Sequence, residues 1–461
     1  MKKNTLLLLI LISTVTFSQE IAGKWYGTLN IPGNNLPIEI NISKTEKGFI
    51  STMDSPKQKA FNIPVPTTTF ENNVLKFEIP AGKIQYEGII NNEAKIIGFF
   101  TQNGQKMKLD FSKTASEEVV LKRPQEPVKP YPYYSEEVTF ENKKDGITLA
   151  GTLTLPSKEG KFPVVVLISG SGGQNRDEEI LGHKPFLVIS DYLTKNGFAV
   201  LRYDDRGIAS SKGNYATATT LDFSYDTEAA VTYLLTRKEI NKKKIGLIGH
   251  SEGGVIAPMV ASRNKNINFI VLLAGTGLRG DKLLLLQQEL IAKSQGMTDL
   301  EIKKNKDLNT KIFNLIIKSS DDEKLKNDTT TLLKENPQDN LPEGMTKEQY
   351  IEFALNQYTT IWTKYFIKLD PSVALQKVKC PVLAINGSKD LQVPSRENLE
   401  IIKNSLIKGK NKQITITEIP NLNHLFQETT TGSVSEYEKN EQTFSPIALK
   451  EILTFLKVQV K

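Results

Sequence analysis

The sequence predicts a small all-β domain followed by an α/β domain, the latter a mostly parallel sheet with helices on both faces and a helical cap insertion. Three observations predict it. After about residue 135, short continuous apolar runs alternate with amphipathic stretches, the pattern of strands buried on both faces and joined by right-handed helical crossovers. Before residue 115, apolar and polar residues alternate with period two between turn signals, the pattern of antiparallel strands. Between them Arg123-Pro124-Gln125-Glu126-Pro127-Val128-Lys129-Pro130-Tyr131-Pro132 holds four prolines, which remove backbone donors and favour a stiff, extended boundary. The division that follows is residues 19–115 for the β domain, 116–134 for the linker and 135–461 for the α/β domain, with the cap at about 281–376.

In the β domain the period-two pattern predicts strands over residues 24–31, 36–42, 74–79, 83–90 and 95–102, closing into a meander or small barrel. Asn91-Asn92 and Asn103-Gly104 suit its tight hairpins. No histidine occurs before His183 and the carboxylates are scattered, so this domain carries no catalytic grouping; Trp25 reads as core. In the α/β domain the buried strands are expected over 163–169, 199–204, 244–248, 267–273 and 381–385, with helices over 184–195, 221–236 and 252–262 between them. Residues 137–140 and 148–155 would add an antiparallel edge. The cap is rich in lysine and glutamate, with helices expected over 283–293, 311–318 and 347–366 and a loop marked by Pro337 and Pro342.

Composition narrows the function. The 461 residues, 39% of them hydrophobic, suffice for two or three domains with a sizeable core, which excludes a disordered or fibrous chain. A formal net charge of +7, with no basic run interleaved with aromatics, argues against a nucleic-acid partner. Lys2 and Lys3 precede the apolar run Leu6 to Ile12, which is shorter than the roughly 20 residues that cross a bilayer core. Thr16 and Ser18 fit a small-residue cleavage pattern before Gln19. Residues 1–18 therefore read as a signal peptide, placing the protein in a periplasm or outside the cell with no stable membrane insertion after cleavage; the alternative is an uncut anchor. Cys380 is the only cysteine, so no intramolecular disulfide forms and no lipid-bearing cysteine follows the signal. It precedes Pro381 and an apolar strand and reads as a small buried hydrophobe.

The chemistry concentrates at Gly249-His250-Ser251-Glu252-Gly253-Gly254, which follows a predicted strand and opens a predicted helix. Gly-x-Ser-x-Gly in that setting is a nucleophile elbow, where a tight turn exposes the serine and the N–H of the next residue, Glu252, becomes an oxyanion donor. A serine hydroxyl needs a base, and the chain offers His183, His250 and His424. His424 lies in a loop after the last predicted strand, 413–419, at the edge of the sheet that the elbow shares. His250 is read as packing or hydrogen bonding, and His183 as opening a helix. Asp390, ending Asn386-Gly387-Ser388-Lys389-Asp390 after the strand at 381–385, is placed to orient His424. The second oxyanion donor comes from Gly170-Ser171-Gly172-Gly173, with the N–H of Ser171 or of Gly172 the candidates. No Gly-Lys-Ser/Thr follows that loop, which argues against a phosphate cradle. The three histidines have no ligand spacing, so no metal and no cofactor are expected.

Ser169-Gly170-Ser171-Gly172, Leu201-Arg202-Tyr203-Asp204-Asp205-Arg206-Gly207, the elbow and the Asp390 turn occur in the order of the α/β-hydrolase family, and over roughly residues 138–457 the chain resembles it. Arg176-Asp177-Glu178 and the glutamate after the nucleophile narrow the resemblance to bacterial carboxylesterases with an added N-terminal β domain, near the serine aminopeptidase and dienelactone hydrolase branches. One departure is Ile208-Ala209-Ser210-Ser211, where such proteins usually place a glycine before a serine.

The resemblance implies the α/β-hydrolase fold and a serine hydrolase in which Ser251 attacks an acyl carbonyl, His424 carries the proton and Asp390 orients His424. Arg206, Asp177 and Glu252 are expected to form one charged group beside the elbow, and Trp362, Tyr365 and Phe366 of the cap to wall the substrate pocket. The expected substrate is a carboxylic ester with a small or medium acyl group. A serine aminopeptidase, or another amide or thioester hydrolase, ranks second because no acidic cluster in the cap offers an amine anchor. An acyltransferase ranks third, and a non-catalytic binding protein on this scaffold is the reading from a different class. Oligomeric state and the role of the β domain stay open.

Overall fold

A computed structural model of the chain describes residues 21–30, 35–58, 60–115, 122–336, 341 and 345–461. The signal peptide at 1–18, the start of the linker and the loop marked by Pro337 and Pro342 lie outside them. The chain divides into two compact units, Met1–Val120 with Asn340–Thr346, and Leu121–Asp339 with Lys347–Lys461.

The first unit is a single antiparallel sheet of ten strands among the described residues. Gly23–Leu29 pairs with Leu36–Thr45 on one side and with Phe111–Ser112 on the other, which in turn joins Ile96–Gln102. The sheet curls until the Ser51 and Thr68 hydroxyls hydrogen-bond across Gly48–Ser55 and Thr67–Glu71. Alternate residues of every long strand face one core around Trp25, which is fully buried and donates its indole N–H to the Ile21 carbonyl at 2.7 Å. Five strands, Gly48–Ser55, Ala60–Val65, Thr67–Glu71, Gln105–Lys108 and Phe111–Ser112, go beyond the sequence expectation. In the first three, threonine, serine and asparagine content blurs the alternation that marks the other strands, and the last two are short.

The second unit holds an eight-stranded sheet. Its strands in chain order are β1 (Tyr134–Asn142), β2 (Ile147–Leu155), β3 (Phe162–Ile168), β4 (Ala199–Tyr203), β5 (Ile240–His250), β6 (Ile267–Leu273), β7 (Val382–Gly387) and β8 (Ile414–Ile419). They lie side by side as β1-β2-β4-β3-β5-β6-β7-β8; the two pairings that involve β2 are antiparallel and the rest are parallel. The strand residues split by parity between two cores. Val164, Val166 and Ile168 of β3 face the helices α2 (Thr220–Thr236), α3 (Gly253–Ala261) and α10 (Ser395–Lys408). Val165 and Leu167 face α1 (Pro185–Lys195) and α12 (Pro446–Gln459). Burial on both faces explains why these strands read as unbroken apolar runs. This layering and strand order define the α/β-hydrolase fold.

The cap between β6 and β7 consists of α4 (Gly280–Ser294), α5 (Asp299–Lys318), α6 (Asp322–Glu335), α7 (Lys347–Tyr358), α8 (Ile361–Lys368) and α9 (Ser372–Leu375). The single helix expected over 347–366 is two, because the Thr360 hydroxyl accepts the Thr363 N–H and starts α8 afresh. No helix among the described residues is long and apolar enough to cross a membrane. α11 (Val434–Tyr437) packs the fully buried Tyr437 against His183, whose ring nitrogens meet the Tyr437 carbonyl at 2.8 Å and the Thr443 hydroxyl at 3.1 Å. Burial pushes the His183 pKa down to about 4, in keeping with a structural, neutral imidazole. Ala209, at the departure from the family pattern, has φ +46°, so the position where a glycine is usual keeps its left-handed conformation with alanine in it.

Candidate active site

Ser251 sits between β5 and α3 with φ +52°, and its N–H donates to the Leu273 carbonyl of β6 at 2.9 Å. The neighbours allow this turn only because two positions lack side chains. A Cβ on Gly249 would run into the Gly253 carbonyl, and one on Gly253 into the Ile168 carbonyl at the end of β3. Strand, turn and helix thus hold the serine at the carboxyl edge of the sheet.

His424 lies in the loop after β8, in a turn set by Asn423. The Asn423 carboxamide oxygen accepts the N–H groups of Leu425 and Gln427 at 3.0 and 2.9 Å, and its amide donates to the Gln427 side chain at 2.9 Å. His424 Nδ1 meets Asp390 Oδ2 at 2.8 Å. The other carboxylate oxygen of Asp390 accepts the N–H groups of Gln392 and Val393, both at 2.8 Å. With its side chain fully buried, Asp390 has three donors to offset its lost hydration.

His250 is the link that sequence reasoning left incomplete. Its Nε2 meets the His424 carbonyl at 2.9 Å, its ring centroid stands 4.8 Å from that of His424, and its Nδ1 meets Glu178 Oε1 at 2.9 Å. Burial works against a charged imidazole here, yet the Glu178 carboxylate and the His424 carbonyl hold the His250 pKa above its usual value. Glu178 also accepts the Gly170 N–H at 2.7 Å. One carboxylate therefore ties the loop after β3 to the histidine that backs His424.

That loop faces Ser251: a Cβ on Gly170 would lie 3.1 Å from Ser251 Cβ. The Gly172 N–H is already engaged by the Tyr215 hydroxyl at 2.9 Å. Among the described residues no hydrogen bond takes up the N–H of Ser171 or of Glu252. Two consecutive aspartates after β4 fix the loop. Asp204 accepts the Arg176 N–H at 2.8 Å and its guanidinium at 3.0 and 2.7 Å; Asp205 accepts the Ser169 hydroxyl at 2.7 Å and the Gln174 N–H at 2.9 Å. Their environments drive them apart. Burial works against Asp204, yet Arg176 holds it below the usual carboxylate range, whereas burial, with Glu252 and Glu178 near, pushes Asp205 up to about 8.

The remaining expected residues separate into different networks. Arg206 and Asp177 do not form a charged group with Glu252. Arg206 reaches α2, donating to Asp226 at 2.6 and 2.8 Å, and pairs with Asp145 at 2.7 Å, because the turn after β4 directs it away from the elbow. Asp177 faces Arg202 instead. Glu252 is buried and accepts two uncharged donors, the Thr220 hydroxyl at 2.6 Å and the Trp362 indole at 2.9 Å, with burial raising its pKa. Trp362 on α8 thus connects the cap to the residue after Ser251 and stacks on Phe366 at 4.8 Å. Phe366 is buried with Leu283 and Val393, while Tyr365 is half-buried. Glu178, Asp204 and Asp205 were not singled out as site residues from sequence. Each stands inside a quoted motif, but its partner is distant in the chain.

Residues 145–416 match the X-Pro dipeptidyl-peptidase (S15) family, more than half of the chain, and the chain belongs to that family. It is an α/β hydrolase. Among individual proteins it is 27% identical over 363 residues to Esterase EstD of Thermotoga maritima, covering 77% of this chain and 71% of that protein. It is 35% identical over 126 residues to human acyl-coenzyme A thioesterase 1, covering 27% of each. The crystal structure of the hypothetical protein PA2218 from Pseudomonas aeruginosa superposes with a TM-score of 0.45 at 17% identity, covering 73% of this chain and 96% of that one.

The aspartate pair predicts a pH dependence. The usual Asp pKa is about 3.9 in the unfolded chain, so folding takes up a proton at Asp205 between about pH 4 and the raised value of about 8. Stability then falls as pH rises through that window, by up to about 1.4 kcal/mol per pH unit. Urea unfolding midpoints from pH 5 to 9 should show this decline in the wild type and a flatter profile in Asp205→Asn. Equal slopes would contradict it.

Proposed function

We propose that the chain is an exported serine hydrolase that cleaves carboxylic esters of small or medium acyl groups through Ser251, His424 and Asp390. The observation that carries this reading is the buried 2.8 Å contact between His424 Nδ1 and Asp390 Oδ2, with His424 packed against His250, the residue before a serine held at φ +52°. Asp390 fixes the tautomer in which Nε2 of His424 is the base. Ser251 Oγ attacks the acyl carbon while its proton passes to Nε2. The oxyanion is held by the N–H groups of Glu252 and Ser171, Gly172 being disfavoured because Tyr215 already takes its N–H. His424 returns the proton to the departing alcohol, leaving an acyl-serine. Water, deprotonated by the same histidine, then releases the acid.

The match to Esterase EstD over 77% of the chain supports an ester substrate. The family itself, named for an X-Pro dipeptidyl-peptidase, keeps amide hydrolysis as the second reading. Trp362, tied to Glu252 beside the nucleophile, supports a pocket wall contributed by the cap. The charged and apolar pattern of residues 1–18 supports export.

A fluorophosphonate probe should label the wild type and fail on Ser251→Ala. With p-nitrophenyl esters, Ser251→Ala and His424→Ala should lose about 10⁴- to 10⁶-fold in kcat and Asp390→Asn about 10⁴-fold. Turnover of aminoacyl amides in preference to the esters would make it a peptidase, and absence of labelling in folded wild type would reject the mechanism. Mass spectrometry of the exported protein should find Gln19 at the N-terminus, whereas an intact N-terminus would contradict export by cleavage.

A further inference from the structure

Behind the triad, three segments meet at two side chains to which the proposed mechanism gives no part, His250 and Glu178. Both are buried, with side chains 8% and 5% exposed. Phe186, Ile189, Leu273, Leu425 and Phe444 line the space around them with apolar groups. The titratable side chains that face His250 are Glu178, Asp390 and His424.

Both hydrogen-bond partners of the His250 ring are acceptors. The His424 carbonyl, 2.9 Å from Nε2, has no proton to give, and the Glu178 carboxylate, 2.9 Å from Nδ1, has none when ionised. A neutral imidazole carries one N–H and serves only one of the two, whereas an imidazolium serves both. A glutamic acid gives up its proton about two pH units before an imidazolium does, so the shared proton belongs on the ring.

Taking such an ion pair out of water is costly, and its apolar surroundings do not call for one. Its contacts show what it holds. Through Nε2 it fixes the main-chain carbonyl of His424, the proposed base, and through Glu178 Oε1 it holds the Gly170 N–H at 2.7 Å. Gly170 lies close against Ser251 and precedes Ser171, whose N–H is a proposed oxyanion donor. Base and oxyanion donor, on the loops after β8 and β3, are thus placed from one point, and that point is the residue before Ser251.

Resting on the reading of Ser251, His424 and Asp390 as the triad, we propose that His250, as an imidazolium, and Glu178, as a carboxylate, are a positioning pair that sets the base and the oxyanion loop in register with Ser251. The test joins nitrogen NMR of histidine-labelled protein at neutral pH to kinetics with p-nitrophenyl esters. The chain has three histidines, and the signals that shift in Glu178→Gln or vanish in His250→Ala identify His250. Two protonated ring nitrogens are expected on His250 in the wild type. One is expected in Glu178→Gln, whose amide donates to a neutral Nδ1 while its oxygen still accepts the Gly170 N–H. Glu178→Ala and His250→Ala should lose roughly tenfold to a hundredfold in kcat with KM within about twofold, and Glu178→Gln should recover most of the loss. A pair that only stabilised the fold would lower the melting temperature without that split. A singly protonated His250 in the wild type, or wild-type kcat in folded Glu178→Ala and His250→Ala, would overturn the pair. The wild-type spectrum keeps the test decisive where an alanine variant does not fold. Ester turnover that survives in Ser251→Ala would instead reject the triad reading itself.

Discussion

Everything at the active edge depends on the approach of three main-chain segments around Ser251. β5, α3 and the end of β3 come together at Gly249 and Gly253, where any side chain would strike a carbonyl of the neighbouring segment. The serine pays for that approach with a left-handed backbone, a strain of about 1–3 kcal/mol that only well-packed surroundings sustain. The packing is there: the β3, β5, β6 and β7 strands are buried on both faces, so the turn is anchored in the part of the molecule least able to move. From this point the loop after β3 and the loops after β7 and β8 need only converge on one edge.

Their convergence is governed by charge. Asp390 gathers His424 and two backbone donors, Glu178 gathers His250 and Gly170, and Asp204 with Asp205 gathers the stretch from Ser169 to Arg176. Asp390 serves the loop of His424, while Glu178, Asp204 and Asp205 all hold the loop after β3. Removing any of them would strand buried donors, so these groups are coupled to geometry as much as to chemistry. Asp204 and Asp205 make the point most sharply, since neighbours in sequence are driven in opposite directions, Asp205 up by burial and Asp204 down by Arg176 against burial.

Much of this was legible in the sequence where the signal is local. The elbow is five consecutive residues between a strand and a helix, and the Asp390 and His424 loops each follow an apolar strand, so order and position identify them. The signal weakens where partners are distant. Glu178 pairs with His250 across 72 residues, and no spacing rule reaches that far. Arg206 was assigned to the elbow from its motif, but the direction in which a turn aims a long side chain depends on backbone geometry that residue type does not encode. In the first unit, strands rich in threonine and serine lost their period-two signature. In the cap, Thr360 divided a helix that its apolar spacing had joined.

The central claim is that Ser251 carries the acyl group between the two halves of the reaction. Rapid quenching of the protein with an activated ester, followed by peptide mapping by mass spectrometry, tests it most directly. The account predicts an acyl adduct on Ser251 that forms faster than steady-state turnover and decays with water. Ester turnover with no adduct, or with an adduct on another residue, would contradict it.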